Sequence, residues 1–134
     1  MAYWLLKTEP SEYSFGDLLR EKRTMWSGVR NALALQHIRK MRKGDAVLIY
    51  HTGDEKQIVG IAEVASDPYP DPQADDPRIV VVDLKPKRKL ATPIPLAQIK
   101  ADPRFKELAL VRISRLSVMP VEKTLWNALL MMAG

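Results

Sequence analysis

The chain has 134 residues, of which 46% are hydrophobic and 28% charged, and it has no cysteine. It is long enough to bury a core as one domain, residues 1–134, and the missing cysteines exclude disulfides, thiolate metal sites and cysteine nucleophiles. Its net charge of +5, from 21 Lys+Arg against 16 Asp+Glu, favours a polyanionic partner such as nucleic acid over an acidic surface.

Tyr3 to Lys7 reads as a strand, stopped by Thr8-Glu9-Pro10. Strict alternation would place Lys7 and Glu9 on one face and Thr8 on the other, and would bury Trp4 with Leu6, or else Leu5. Ser14 is an N-cap for a short helix, with Asp17 at the favourable end of the dipole and Leu18 and Leu19 as its buried face. Thr24-Met25 then leads into a turn, Trp26-Ser27-Gly28-Val29-Arg30-Asn31, that mixes an aromatic, a Ser-Gly pivot, a cation and a capping Asn. Asn31 caps a helix from Ala32 to about Met41, whose Leu35, Ile38 and Met41 recur at helical spacing. Lys43-Gly44-Asp45 is read as the exit from that helix.

Ala46 to Tyr50 is a core strand, His51 to Lys56 a glycine-containing turn, and Gln57 to Val64 the returning strand of a hairpin. Gly60 within it signals a bulge or a close backbone approach. The prolines and aspartates of Ser66 to Arg78 forbid helix and central strand, leaving a long loop. Ile79 to Lys85 reads as a strand with a cationic tail, Lys85-Pro86-Lys87-Arg88-Lys89. A short helix over Pro95–Lys100, an apolar segment Leu108–Ile113 open to helix or strand, a short strand Arg115–Val121 and an amphipathic helix Glu122–Met132 complete the chain. The pattern predicts a mixed α+β fold: a curved, mostly antiparallel sheet or barrel with helices packed on it, built from hairpins rather than βαβ units.

No apolar run approaches the roughly 20 residues of a membrane helix. The start of the chain lacks the basic and apolar regions of a signal peptide, so a cytoplasmic location and no membrane partner are expected. With only His37 and His51, a histidine-rich metal site is not expected. The motifs of nucleophile-elbow hydrolases, P-loops, zinc peptidases and dinucleotide folds are missing.

The Trp26 turn is the strongest candidate for chemistry. A lone Trp is by default a core aromatic. Here Ser27 and Gly28 leave room beside the indole, helix-start N–H groups attract anions, and Arg30 can pair with phosphate. Stacking of a base on an aromatic is worth ~1–3 kcal/mol. His51 is read from spacing as a turn histidine in solvent, with the edge of a polar pocket as its functional alternative. Lys7-Thr8-Glu9 is either a strand end carrying an exposed ion pair or a hydrolytic trio. Ser117 and Met119 are either core or the lining of a pocket for a flat group. Arg39 and Lys43, like Lys85–Lys89, are solvated faces by default and phosphate contacts as a hypothesis.

Five segments together resemble the EVE domain family, of the PUA-like superfamily. These are Trp4-Leu5-Leu6-Lys7-Thr8-Glu9-Pro10, Trp26-Ser27-Gly28-Val29-Arg30-Asn31, Gly44-Asp45 through Tyr50-His51-Thr52, Val59-Gly60-Ile61-Ala62-Glu63-Val64 and Leu116-Ser117-Val118-Met119-Pro120-Val121. The resemblance implies a PUA-like barrel of five to six strands flanked by short helices. It is similar to YTH domains, which read a methylated base in an aromatic cage, so a non-enzymatic reader of a modified base in DNA or RNA is implied. Such a base would be flipped or single-stranded.

On that resemblance Trp26 is a cage wall, Ser27 and Asn31 meet the base edge, and Gly28, Val29, Lys7, Thr8, His51, Ser117 and Met119 line the same cleft. Arg30, Arg39 and Lys43 hold phosphate, no cofactor is needed and a monomer is expected. The alternative, by resemblance to ASCH domains, is a small nucleoside amidohydrolase using Lys7, Thr8 and Glu9. The sequence departs from the family pattern at Thr8 and Thr52, where Ser is frequent, and at Ile79, where similar proteins commonly carry Trp.

Overall fold

A computed structural model describes residues 1–133. Its elements run β1 (Tyr3–Thr8), α1 (Phe15–Glu21), β2 (Thr24–Trp26), α2 (Ala32–Lys40), β3 (Ala46–His51), β4 (Gln57–Val64), β5 (Tyr69–Pro70), β6 (Val80–Pro95), α3 (Leu96–Ala101), α4 (Ala109–Arg112), β7 (Val118–Pro120) and α5 (Lys123–Met132). A 3-10 turn, Pro103–Phe105, lies between α3 and α4. The strands follow the order β2-β6-β4-β3-β1-β7, with β5 paired to β6. All pairings are antiparallel except β1 with β3. The expected mixed, mostly antiparallel architecture is therefore present. The parallel β1–β3 pair is the exception to hairpin-only connectivity, because α1, β2 and α2 intervene between them.

Local sequence signals account for much of this. Ser14 and Asp17 form a reciprocal capping box at the start of α1. The Asn31 side chain accepts from the Ala34 N–H, 3.0 Å away, and caps α2. The β3–β4 hairpin forms as the sequence indicates. Gly60 bears out the expected bulge, while what closes on it is a side chain rather than a backbone. The register shifts on both sides of it, and a Cβ there would lie 2.5 Å from the Phe15 ring.

Four expectations are corrected. β1 buries Trp4, Leu5 and Leu6 together rather than alternate residues. The reason is that both its faces are covered: Tyr3 packs on Trp126 of α5 and Trp4 approaches His37 of α2. Thr24-Met25 is not a lead-in but part of β2, paired with Leu84 and Asp83. α2 ends at Met41 in extended geometry, so Gly44, with φ of +97°, serves a later turn and not the helix exit. The cationic tail Lys85–Lys89 belongs to β6, which runs for 16 residues. Pro86 is accommodated there because β2 pairs only as far as Leu84, so β6 beyond that point has β4 alone as partner. Lys85 and Lys87 both pair with Glu63 across that strand pair, at 3.2 and 3.1 Å.

The sheet's ends matter most for function. β2 and β1 stand four places apart in strand order, yet residues of both line one cavity. The sheet therefore curls until its two borders face each other across a cleft.

Candidate functional site

The cleft holds a cavity of about 390 Å³, within the range of small-molecule sites. One wall is the end of β1: Lys7, Thr8 and Glu9. The opposite wall is β2 and its continuation, from Thr24 through Trp26 to Ser27, Gly28 and Val29. Glu12 and Tyr13 enter from the segment before α1, and Ser117 from the approach to β7.

Each side chain is held by its neighbours. The Thr8 hydroxyl donates to the Tyr13 carbonyl at 2.6 Å, tying β1 to the segment before α1. The Tyr13 ring meets Trp26 edge-on, with centroids 6.1 Å apart and planes at 88°, a favourable arrangement of aromatic quadrupoles. Its hydroxyl donates to Glu21, 2.7 Å away, and burial pushes the phenol above its ordinary pKa. Lys7 donates to the Ser114 carbonyl at 2.8 Å and lies over the Tyr50 ring. Burial, with a smaller effect from the charge of Lys100, holds its ammonium below the ordinary lysine range. Glu9 accepts from the Ser11 backbone and hydroxyl and from the Thr52 hydroxyl, which keeps its carboxyl below the usual range.

The Trp26 wall differs from the rest of the cavity. Among the described residues, the backbone N–H and C=O groups of Ser27, Gly28, Val29 and Arg30 make no hydrogen bond within the fold. Gly28 adopts a φ of +85° with open space where a Cβ would stand. Trp26 is 7% exposed. Its indole N–H meets no acceptor among the described residues, yet it is not sealed away from solvent. This wall thus offers an aromatic surface, an indole donor and a run of unused peptide groups, whereas the β1 wall offers the Lys7 ammonium, the Thr8 hydroxyl and the Glu9 carboxylate.

The cavity gathers Trp26, Ser27, Gly28, Val29, Lys7, Thr8 and Ser117 from the sequence-derived candidates. Three others sit elsewhere. Asn31 caps α2. Met119 is 0% exposed and pairs with Leu5 in the sheet, so it packs in the core. His51 is neither a solvent residue nor a cavity wall. It ends β3 at 7% exposure, where Nε2 accepts from the Phe15 N–H at 3.0 Å and Nδ1 lies 2.9 Å from Glu55. That geometry puts the proton on Nδ1 and makes His51 a strut between β3 and the start of α1.

Of the phosphate candidates, Arg30 and Arg39 line a second cavity of about 290 Å³ next to the first, and so does Ile79. Lys43 borders neither of the two cavities. Sequence reading overlooked Tyr13, Glu12, Thr24 and Met25. The Ser14 cap placed Tyr13 just outside a helix start. Its meeting with Trp26 depends on how α1 packs against the end of β2, which no local pattern encodes.

The EVE domain model matches residues 2–132 of this chain. A Rhodopseudomonas palustris protein solved by NMR is 43% identical, with a TM-score of 0.95 over 100% of this chain and 94% of that one. Human thymocyte nuclear protein 1 is 27% identical over 154 residues, covering 90% of this chain and 68% of the relative. A crystal structure of the human THYN1 protein in complex with 5-methylcytosine-containing DNA superposes with a TM-score of 0.90 at 26% identity, covering 99% and 98% of the two chains. An ASCH protein from Zymomonas mobilis, 11% identical with a TM-score of 0.60 over 97% and 94%, shares the fold alone. The architecture is thus PUA-like, and the chain belongs to the EVE domain family.

Proposed function

We propose that this protein is a non-enzymatic module that takes a modified nucleobase of DNA or RNA, flipped or single-stranded, into the cavity between β1 and the Trp26 wall. The observation that carries this reading is the wall from Trp26 to Val29. An aromatic surface stands there beside peptide groups that the fold leaves unpaired. A base is flat and apolar on its faces and polar at its edge, and that combination answers both requirements. Lys7, Thr8 and Ser117 face the same space and supply further polar contacts to the edge. The human relative's complex with 5-methylcytosine-containing DNA supports the same class of ligand.

The alternative, a hydrolase using Lys7, Thr8 and Glu9, has less support. The Thr8 hydroxyl spends its proton on a backbone carbonyl, and the Glu9 carboxylate is occupied by Ser11 and Thr52. No base stands ready to activate Thr8 as a nucleophile.

The test is calorimetric binding of a panel of methylated and unmodified nucleosides and short oligonucleotides to the wild type and to Trp26→Phe. A preference for one modified base is expected. It should weaken in the variant by about 1 kcal/mol, the worth of the lost indole donor. Uniform weak binding that ignores the variant, or turnover of an acylated nucleoside that disappears in Lys7→Ala, would sink the reading.

A further inference from the structure

The base-binding reading leaves the second cavity unused. It begins where the first ends: Val29 walls one and Arg30, the next residue, walls the other. Its lining divides by chemistry. Ala32, Leu35 and Ile79 form an apolar floor, with Leu35 and Ile79 buried. Arg30, Arg39 and Arg78 form the cationic rim.

One carboxylate, Asp76, lies among these arginines, and Arg78 engages it closely. Arg78 Nη2 stands 2.8 Å from one oxygen, and Nε lies 3.1 and 3.2 Å from the two. That pairing uses one of the three guanidinium charges on the rim. Arg30 makes no side-chain hydrogen bond among the described residues, and Arg39 spends one N–H on the Arg78 carbonyl. A guanidinium bonded only to a carbonyl keeps its charge for an anion. The Ala32 and Leu33 N–H groups at the start of α2 also have no acceptor among the described residues, so the helix field adds to the arginines. Arg39 further lines a third, open cavity, where Arg42 and the Asp67 carboxylate also stand.

An apolar floor beneath an arginine rim suits a sugar or base joined to a phosphodiester. We propose that the second cavity is a strand subsite, holding the phosphodiester and sugar of the nucleotide that adjoins the recognised base. The ligand is then a polynucleotide strand lying in one direction across the Trp26–Asn31 stretch, rather than a free nucleoside. This rests on the base occupying the first cavity.

Arg30→Gln is the sharpest variant, because Arg30 is exposed and, although its charge acts on Asp76, its side chain makes no hydrogen bond among the described residues. Binding of 5-methyl-2′-deoxycytidine, of a pentadeoxynucleotide carrying one central 5-methylcytosine and of an unmodified thymidine pentamer is measured across salt concentration. The wild type should bind the modified pentamer more tightly than the nucleoside. Arg30→Gln should leave nucleoside affinity unchanged and lower the log–log salt slope for either pentamer by about 0.7, one phosphate contact to a single strand. Lys85→Gln, which removes a charge that is paired with Glu63 and lines neither cavity, should leave the slope as it was. Moving 5-methylcytosine to one end of the pentamer should preserve affinity, and moving it to the other end should reduce affinity to that of the nucleoside. An unchanged slope in Arg30→Gln, equal affinities for the two ends, or no binding of the thymidine pentamer at low salt overturns the strand subsite. Failure of the two 5-methylcytosine ligands alone, with the thymidine slope still falling in Arg30→Gln, counts against that base as the ligand and leaves the strand subsite supported.

Discussion

Trp4 and Trp26 are nearly equal in burial, at 4% and 7% exposed, and opposite in use. The Trp4 indole donates to Asp45 at 3.0 Å. Asp45, itself 5% exposed, also accepts from the Ala2 N–H at 3.0 Å and the Arg42 N–H at 2.9 Å. One carboxylate there joins the chain start, β1 and the turn after α2, and every polar atom is answered inside the fold. The Trp26 ring meets the Tyr13 ring at a right angle, and its N–H has no acceptor among the described residues. A filled polar corner builds the fold, because any vacancy in it would leave buried groups unpaired. An unfilled one on a cavity wall can serve a ligand.

Asp45→Ala should break the comparison most severely. It strips the acceptor from three N–H groups and should cost about 3–5 kcal/mol in denaturant unfolding. Affinity for a base, scaled to folded protein, should stay constant. Loss of affinity in the molecules still folded would mean that the two corners are coupled.

Trp26→Ala comes next and should fall on both sides of the divide. Removing a buried indole should cost about 3 kcal/mol of stability. Base affinity should fall by a further ~1–3 kcal/mol, the worth of a stacking surface. A stability loss with no change in base affinity would assign Trp26 to the core, like Trp4.

Thr8→Val removes the hydroxyl that holds the Tyr13 carbonyl while keeping the side chain's shape. It should cost about 1 kcal/mol in stability and loosen the Tyr13–Trp26 contact, seen as a changed tryptophan fluorescence. Ser117→Ala should have the smallest effect on the fold, within about 0.5 kcal/mol, since the Ser117 hydroxyl makes no hydrogen bond among the described residues. If that hydroxyl reads the base edge, affinity should still drop by roughly 1 kcal/mol in calorimetry.

The same contrast separates what could be read from the chain from what could not. Caps were legible, because Ser14–Asp17 and Asn31–Ala34 act over three residues. Gly60 was legible as a bulge position, though not that the Phe15 ring is what closes on it. The resemblance pointed to the Trp26 wall and to Lys7, Thr8 and Ser117, which the fold does bring to one cavity. It also pointed to His51 and Met119, where the fold built a strut and a core contact instead. Asp45, taken for part of a helix exit, is a buried node whose partners are 41 and 43 residues away as well as three.

By itself the sequence determined the elements whose causes are local: the α1 and α2 caps, the β3–β4 hairpin, and the break at Pro10 that frees the segment bearing Glu12 and Tyr13. Hydrogen bonds and periodicities of that kind close within a few residues, so the residues involved are neighbours in the text. The tertiary structure alone decided how far β6 extends, which borders of the sheet meet, and which polar atoms stay unpaired. Those depend on packing between strands four places apart in the sheet, and the free energy that selects them comes from burial summed over the whole core rather than from any one stretch.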